Sequence, residues 1–181
     1  MDDKTRQLII NAQAGNAESF HQLVALHDDR IMALAFQLSK NQSDAEDIYQ
    51  DVFVKAWKNI KSFRMESEFF TWLYRITVNT FLTHQKKLSR MKIQDSEYDP
   101  LDWVPSSSDE RTSSDEVNSA VQIAVKSLPE KQQTVFILKH MQNLKIREIA
   151  NIMEITEGTV KKYLFRAMEK MRKELKEYRY A

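Results

Sequence analysis

The sequence predicts an all-α chain arranged as two small helical domains on either side of a flexible linker. Three observations lead there. Two glycines and three prolines among 181 residues favour long helices over a turn-rich β architecture. Apolar residues recur at helical spacing along most of the chain, in single stripes rather than in alternation. The long aperiodic stretch, residues 93–116, holds two of the three prolines, six serines, and eight acidic groups against one basic, the composition of a tether. The expected domains are therefore 1–92 and 115–181, joined by an acidic linker over 93–114. Fully extended, such a strap would reach about 80 Å.

In chain order, Leu8, Ile9 and Ala12 predict a first helix over 3–14, stopped near Gly15-Asn16. Phe20, Leu23, Val24, Ile31, Leu34, Ala35 and Leu38 predict a second over about 17–39. Ser43-Asp44-Ala45-Glu46 reads as a capping box opening a third helix to about Asn59, with Ile48, Val52, Phe53, Ala56 and Ile60 inward. Phe69, Trp72, Leu73, Ile76 and Thr80 form one stripe of a helix within 61–92. In the second domain Val117, Ala120, Val121, Ala124 and Val125 predict a helix over about 115–127. Ser127 and Glu130 flank Pro129 in capping-box spacing. Ile146, Ile149, Ala150 and Met153 then mark a short helix. Thr156 caps a longer one that carries Val160, Leu164, Ala167, Met168, Met171 and Leu175 on one side. A short helix, a tight turn and a longer helix with a basic outer face is a helix-turn-helix layout, although a helical hairpin with solvated lysines would show the same pattern.

Composition excludes several function classes. With no cysteine and glycines only at 15 and 158, there is no disulfide, thiol chemistry, P-loop or dinucleotide fingerprint. His21, His27, His84 and His140 lack ligand spacing, so no metal, cofactor or catalytic residue is expected. No apolar run resembles a signal peptide or a membrane span, which points to a cytoplasmic protein without direct membrane insertion.

The net charge of +1 hides segregation: residues 1–60 sum to −3, 61–92 to +5, 93–116 to −7 and 117–181 to +6. Two basic segments flank an acidic strap, and it is this distribution that sets the local field. Asp44, Asp47 and Asp51 share one face of the third helix, which suits a solvated surface, a magnesium cluster or a dock for a basic partner. In 61–92, six aromatic residues interleave with Lys61, Arg64, Arg75, Lys86 and Lys87. That mixture suits a hydrophobic core and also single-stranded nucleic acid, whose phosphates need cations and whose unstacked bases need rings.

Three phrases resolve these alternatives. LPEKQQTVFILKHMQNLKIREIANIMEITEGTVKKYLFRA (128–167), SDAEDIYQDVFVKAW (43–57) and FRMESEFFTWLYRITVNTFLTHQKK (63–87) closely resemble the extracytoplasmic-function (ECF) subfamily of bacterial sigma-70 factors. The resemblance covers roughly 17–88 and 115–175. It implies a sigma2-like helical bundle, a sigma4-like helix-turn-helix domain, and promoter recognition and melting in concert with core RNA polymerase. Implied partners are the β′ clamp helices and β flap of the polymerase, promoter DNA (double-stranded at −35, single-stranded at −10) and an anti-sigma factor.

By the same resemblance Asp47, Gln50, Asp51 and Lys55 dock the polymerase. Lys61, Arg64, Trp72, Arg75, Asn79, Lys86 and Lys87 serve the −10 element, with the 61–68 loop receiving a flipped base. Thr159, Lys161, Lys162, Phe165 and Arg166 serve the −35 element, with Gly158 allowing close backbone approach. The linker reads equally as a passive acidic tether; the resemblance implies one that threads a polymerase channel, where Asp95, Glu97, Asp99 and Asp102 would imitate nucleic-acid charge, and Trp103, beside a proline, would pin the strap to a domain.

Five positions depart from the family pattern: Thr83 and His84 where the family often has Asp followed by a basic pair, Glu154 at the turn glycine, Lys162 at a serine and Tyr163 at an arginine. Two rival functions are a helix-turn-helix regulator acting without polymerase and a helical magnesium-dependent phosphohydrolase.

Overall fold

The computed structural model describes residues 1–94 and 113–176, with side chains described for 1–91 and 120–176. Trp103 and the acidic residues expected to imitate nucleic acid lie outside the described residues. The described residues are helical, with no strand among them. An N-terminal bundle comprises α1 (Asp3–Gln13), α2 (Ala17–Ala25), α3 (Asp28–Ser39), α4 (Gln42–Asn59), a short 3₁₀ turn (Ile60–Ser62) and α5 (Phe69–Gln94). A C-terminal bundle comprises α6 (Ser113–Lys126), α7 (Glu130–Phe136, running into a π-turn over Ile137–Met141), α8 (Ile146–Met153) and α9 (Glu157–Glu174).

Most of the stripes that spacing dictates are buried among the described residues. Leu8, Ile9 and Ala12 of α1, Leu23 of α2, Ile31, Leu34, Ala35 and Leu38 of α3, and Ile48, Val52 and Ala56 of α4 form the N-terminal core with Phe69, Leu73, Val78 and Phe81 of α5. Side chains one helical turn apart share a face, and α4 lays that face against α3 and α5. In the second bundle Ala124, Val125, Val135, Leu138, Ile149, Ile152, Val160, Ala167 and Met171 are buried.

The helix ends depart from the sequence reading in three places. The expected 17–39 helix is two helices, broken at Leu26-His27; Asp28 and Asp29 supply the acidic first turn of α3, and Asp28 accepts a hydrogen bond from the Tyr49 hydroxyl. Burial and this carboxylate push the Tyr49 hydroxyl up to about 12. α4 is capped by Asn41, whose side chain accepts from the Asp44 N–H at 3.0 Å, not by Ser43. Ser127 does not cap α7; its hydroxyl bonds the Ala124 carbonyl and the Glu174 carboxylate, and Pro129 stands at the cap position. Two sequence readings are met at helix ends. Gly15 ends α1 with φ +96, a conformation few other residues adopt. Thr156 caps α9 through the Thr159 N–H at 3.1 Å.

The bundles touch. α5 packs on α8, and polar bonds stitch the seam. The Tyr74 hydroxyl donates to Gln142 Oε1 at 2.7 Å, Gln142 Nε2 donates to Gln37 Oε1 at 2.9 Å, and Arg75 reaches the end of α8. Burial raises the Tyr74 hydroxyl above its ordinary value.

Candidate nucleic-acid interface

The residues expected to face DNA fall into two surfaces, one on each bundle. On α5, Trp72, Arg75, Asn79 and Lys86 sit at i, i+3, i+7 and i+14, an arc of one helix face. Asn79, Lys86 and Lys87 are exposed. Trp72 is half-buried in a ring cluster, its centroid 5.2 Å from Phe63 and 5.5 Å from Phe69. That cluster ties α5 to the loop over 61–68, where Lys61 and Arg64 are exposed and Phe63 is buried. The −10 candidates thus lie along α5 and its adjoining loop, which aromatic packing ties together. Thr83-His84, the departure from the family pattern, lies on the same helix: the Thr83 hydroxyl donates to the Asn79 carbonyl at 2.8 Å, and His84 faces Asp44 at 4.0 Å.

Arg75 is engaged elsewhere. Its guanidinium meets the Glu154 carboxylate at 3.2 Å and donates to the Asn151 carbonyl at 2.9 Å.

The polymerase-docking candidates sit beside this surface. Asp47, Gln50 and Asp51 are exposed on α4 and line a shallow cleft with Thr80, His84 and Lys87 of α5. Lys55 is held at the cleft edge, donating to Thr80 Oγ1 at 3.1 Å and pairing with Asp51 at 3.6 Å. The acidic face therefore adjoins the cationic one across the α4–α5 seam. Asp44, Asp47 and Asp51 do not converge as a magnesium site: among the described residues no group of three His, Cys, Asp or Glu is placed to hold a metal.

On the C-terminal bundle, Lys161, Lys162, Phe165 and Arg166 occupy one exposed arc of α9. Phe165 is 65% exposed, a ring left in water by the chain's own packing. Thr159 is half-buried, its hydroxyl 2.9 Å from that of Thr156. A side chain at Gly158 would meet only Thr156 Oγ1, at 3.8 Å, so the chain's own packing does not require glycine there and that side of α9 is open to a close partner. Tyr163 lies off the arc and packs against the core. Met168, expected in the buried stripe, is 43% exposed. Glu154 has φ 54 and ψ 43, the left-handed geometry that glycine normally supplies, at a cost of about 1–2 kcal/mol.

Sequence reasoning missed two features: the seam between bundles, and Gln13, whose amide holds the backbone at the foot of the 61–68 loop. Neither has a local signal, because the partners lie 47 to 105 positions apart.

The chain matches the family models for Sigma-70 region 2 over residues 23–91 and Sigma-70 region 4 over 119–171. It is 30% identical to the ECF RNA polymerase sigma factor SigW of Bacillus subtilis over 98% of this chain and all of the relative. It is 36% identical to the ECF RNA polymerase sigma-E factor of Haemophilus influenzae, covering 90% of each chain. The solved structure of the sigma factor RpoE of Bartonella quintana, in complex with the anti-sigma factor NepR, superposes with a TM-score of 0.69 at 27% identity, over 88% of this chain and 98% of that one. The two matched regions fall on the two bundles and on both exposed surfaces, and the chain belongs to the ECF family of RNA polymerase sigma factors.

Proposed function

We propose that α4 and the two exposed surfaces divide the work of a promoter-specific initiation factor. Asp47, Gln50, Asp51 and Lys55 bind the β′ clamp helices of core RNA polymerase, and the C-terminal bundle meets the β flap. Lys61, Arg64, Trp72, Arg75, Asn79, Lys86 and Lys87 grip the melted −10 strand, cations on phosphates and the 61–68 loop around an extruded base. Thr159, the open turn at Gly158 and Lys161 meet −35 phosphates, while Lys162, Phe165 and Arg166 read base edges in the major groove. The observation that carries this reading is the arc on α9. Four side chains suited to DNA are exposed together on one helix of a helix-turn-helix, and Lys161, Lys162 and Arg166 make no ion pair among the described residues.

The functional units are residues 1–92 and 115–181, with 93–114 as a flexible acidic linker between them. The factor performs no catalysis of its own and works in the cytoplasm; among the described residues no helix is long and apolar enough to cross a membrane. An anti-sigma factor holds it inactive, in keeping with the similarity of the chain to a sigma factor solved in complex with its anti-sigma factor. The direct test is transcription in vitro with purified core enzyme from the same cell and a promoter library. Specific initiation that depends on the added chain is expected; a chain that binds duplex promoters but starts no transcript would overturn the reading in favour of a regulator acting without polymerase.

A further inference from the structure

Outside the segment matched to the region 2 family model, α1 does something specific: it holds the backbone of the loop that the reading above assigns to base capture. Gln13 Nε2 donates to the Ile60 carbonyl at 3.0 Å and to the Phe63 carbonyl at 2.8 Å. Both partners are acceptors, so the side-chain amide must present its NH₂ to them. We propose that Gln13 is a positioning residue for base capture, fixing the foot of the 61–68 loop so that Arg64 and the adjoining residues meet an extruded base in one geometry; the proposal rests on the reading of that loop as the base-receiving element.

The far end of the loop is held by Met65, packed against the core, and by Glu68, paired with the N-terminal amine at 2.6 Å; at its foot the other polar side-chain bond is Ser62 Oγ to the Asn59 carbonyl at 2.7 Å. Lys61, Ser62 and Arg64 are exposed, and Met65 stands at φ 57. Phe63 is the loop's buried anchor at 5% exposure, packed edge-on to Phe69 at 5.6 Å. A ring fixes where a side chain sits but leaves peptide planes free to rock. The Phe63 N–H closes the 3₁₀ turn onto the Ile60 carbonyl at 3.1 Å, and the second donor from Gln13 fixes the peptide plane that leads into Arg64. The donor stands on a rigid support, because Leu8, Ile9 and Ala12 bury α1 in the core. A contact surface held by a helix is more precisely aimed than one resting on its own loop.

Chemistry separates positioning from mere stabilisation. Gln13→Glu keeps the shape but removes both donors and turns a carboxylate toward two carbonyl oxygens. Gln13→Lys restores a donor. Full-length chain and variants would be assembled with core polymerase and bound to fork templates in which an abasic site is moved along the single-stranded −10 strand. Wild type should lose about tenfold or more in affinity at the captured position. Gln13→Glu should bind the intact fork correspondingly weakly and show less than about a threefold further loss at that abasic position, the non-additivity of two changes acting on one contact. Gln13→Lys should recover most of the wild-type penalty, and core-polymerase affinity should be unchanged in both variants.

If no position of the wild-type scan is penalised, the loop does not capture a base and the reading beneath the proposal falls. If wild type shows the penalty and Gln13→Glu retains it in full, the clamp proposal alone falls. A lysine variant as defective as the glutamate one also overturns it, because the donor would then not be what matters.

Discussion

Arg75 and Glu154, one on α5 and one in the turn between α8 and α9, form an ion pair of 3.2 Å that joins the two bundles. The pair is reinforced where α8 ends: Arg75 Nη2 also donates to the Asn151 carbonyl at 2.9 Å, and a helix C-terminus attracts cations. A carboxylate and a carbonyl at the negative end of a helix resemble, to a guanidinium, the oxygens of a phosphate. Arg75 cannot serve this turn and a DNA strand at once. The seam is imperfect, since Arg75 Nε is buried without a hydrogen-bond partner.

Replacing Glu154 with glycine should open the seam without harming the fold. The substitution relieves a left-handed residue, worth about 1–2 kcal/mol, less part of that for the freer unfolded chain. It removes an ion pair whose carboxylate side is 64% exposed, worth about 0–1 kcal/mol. Thermal stability should therefore hold or rise slightly while the bundles separate more often. The chain has no cysteine, so a pair of engineered cysteines can carry dyes across the seam. A lower transfer efficiency is expected in the glycine variant, together with tighter polymerase-free binding to a −10 single strand; unchanged transfer would show that the pair does not hold the seam.

The core was legible in the sequence because burial writes itself as period. Ile48, Val52 and Ala56 could be placed by spacing alone, and so could Ile149, Val160 and Ala167. The exposed arc of α9 followed by subtraction. Breaks and seams were less legible. Leu26-His27 interrupts two helices with neither glycine nor proline, and the apolar pattern runs through the break almost in phase. Ser43 and Ser127 had capping spacing, but Asn41 and Pro129 stood nearer to the actual helix starts. Arg75 could be recognised as a cation facing outward; that it pairs with Glu154 depends on how two bundles meet, which no local pattern encodes.

Acid should loosen the N-terminal bundle through His27. This imidazole packs 5.5 Å from Phe69 at the N-terminus of α3, and its Nδ1 is buried without a partner. Burial, with Arg30 adding to it, lowers its pKa below the ordinary 6.5, despite the neighbouring Asp28 and Asp29. The folded state thus prefers the neutral ring. Its contribution to stability is complete above the unfolded value and is lost as pH falls through the folded one. The melting temperature should be flat from about pH 8 to 7 and decline below about 6.5. His27→Gln should flatten that decline; His140, also lowered by burial, lies in the other bundle, and His140→Gln should leave most of it in place.

Arg166→Ala should weaken −35 binding by about 1–3 kcal/mol, the range for a lost bidentate base contact, and relax sequence preference at one base pair. The side chain is exposed on α9, so melting should move by less than about 0.5 kcal/mol. Lys161→Ala should instead lower affinity for all sequences alike and reduce the salt dependence, if that lysine meets phosphate. Titration of both variants against a duplex −35 library at two salt concentrations separates the two kinds of contact.

Asp51→Arg should do the opposite of Arg166→Ala. Asp51 is exposed on α4 and its ion pair with Lys55 spans 3.6 Å between well-exposed groups, so breaking it costs the fold about 0–1 kcal/mol. Reversal places two cations side by side on the face proposed to meet basic clamp helices, and close like-charge contact at an interface costs several kcal/mol. Affinity for core polymerase should therefore fall at least about tenfold at low salt, with the defect shrinking as salt screens it. Binding of the polymerase-free chain to −35 duplex should be unchanged, because α4 and α9 belong to different bundles. Equal losses in both assays would mean that the acidic face supports the fold and not the polymerase contact.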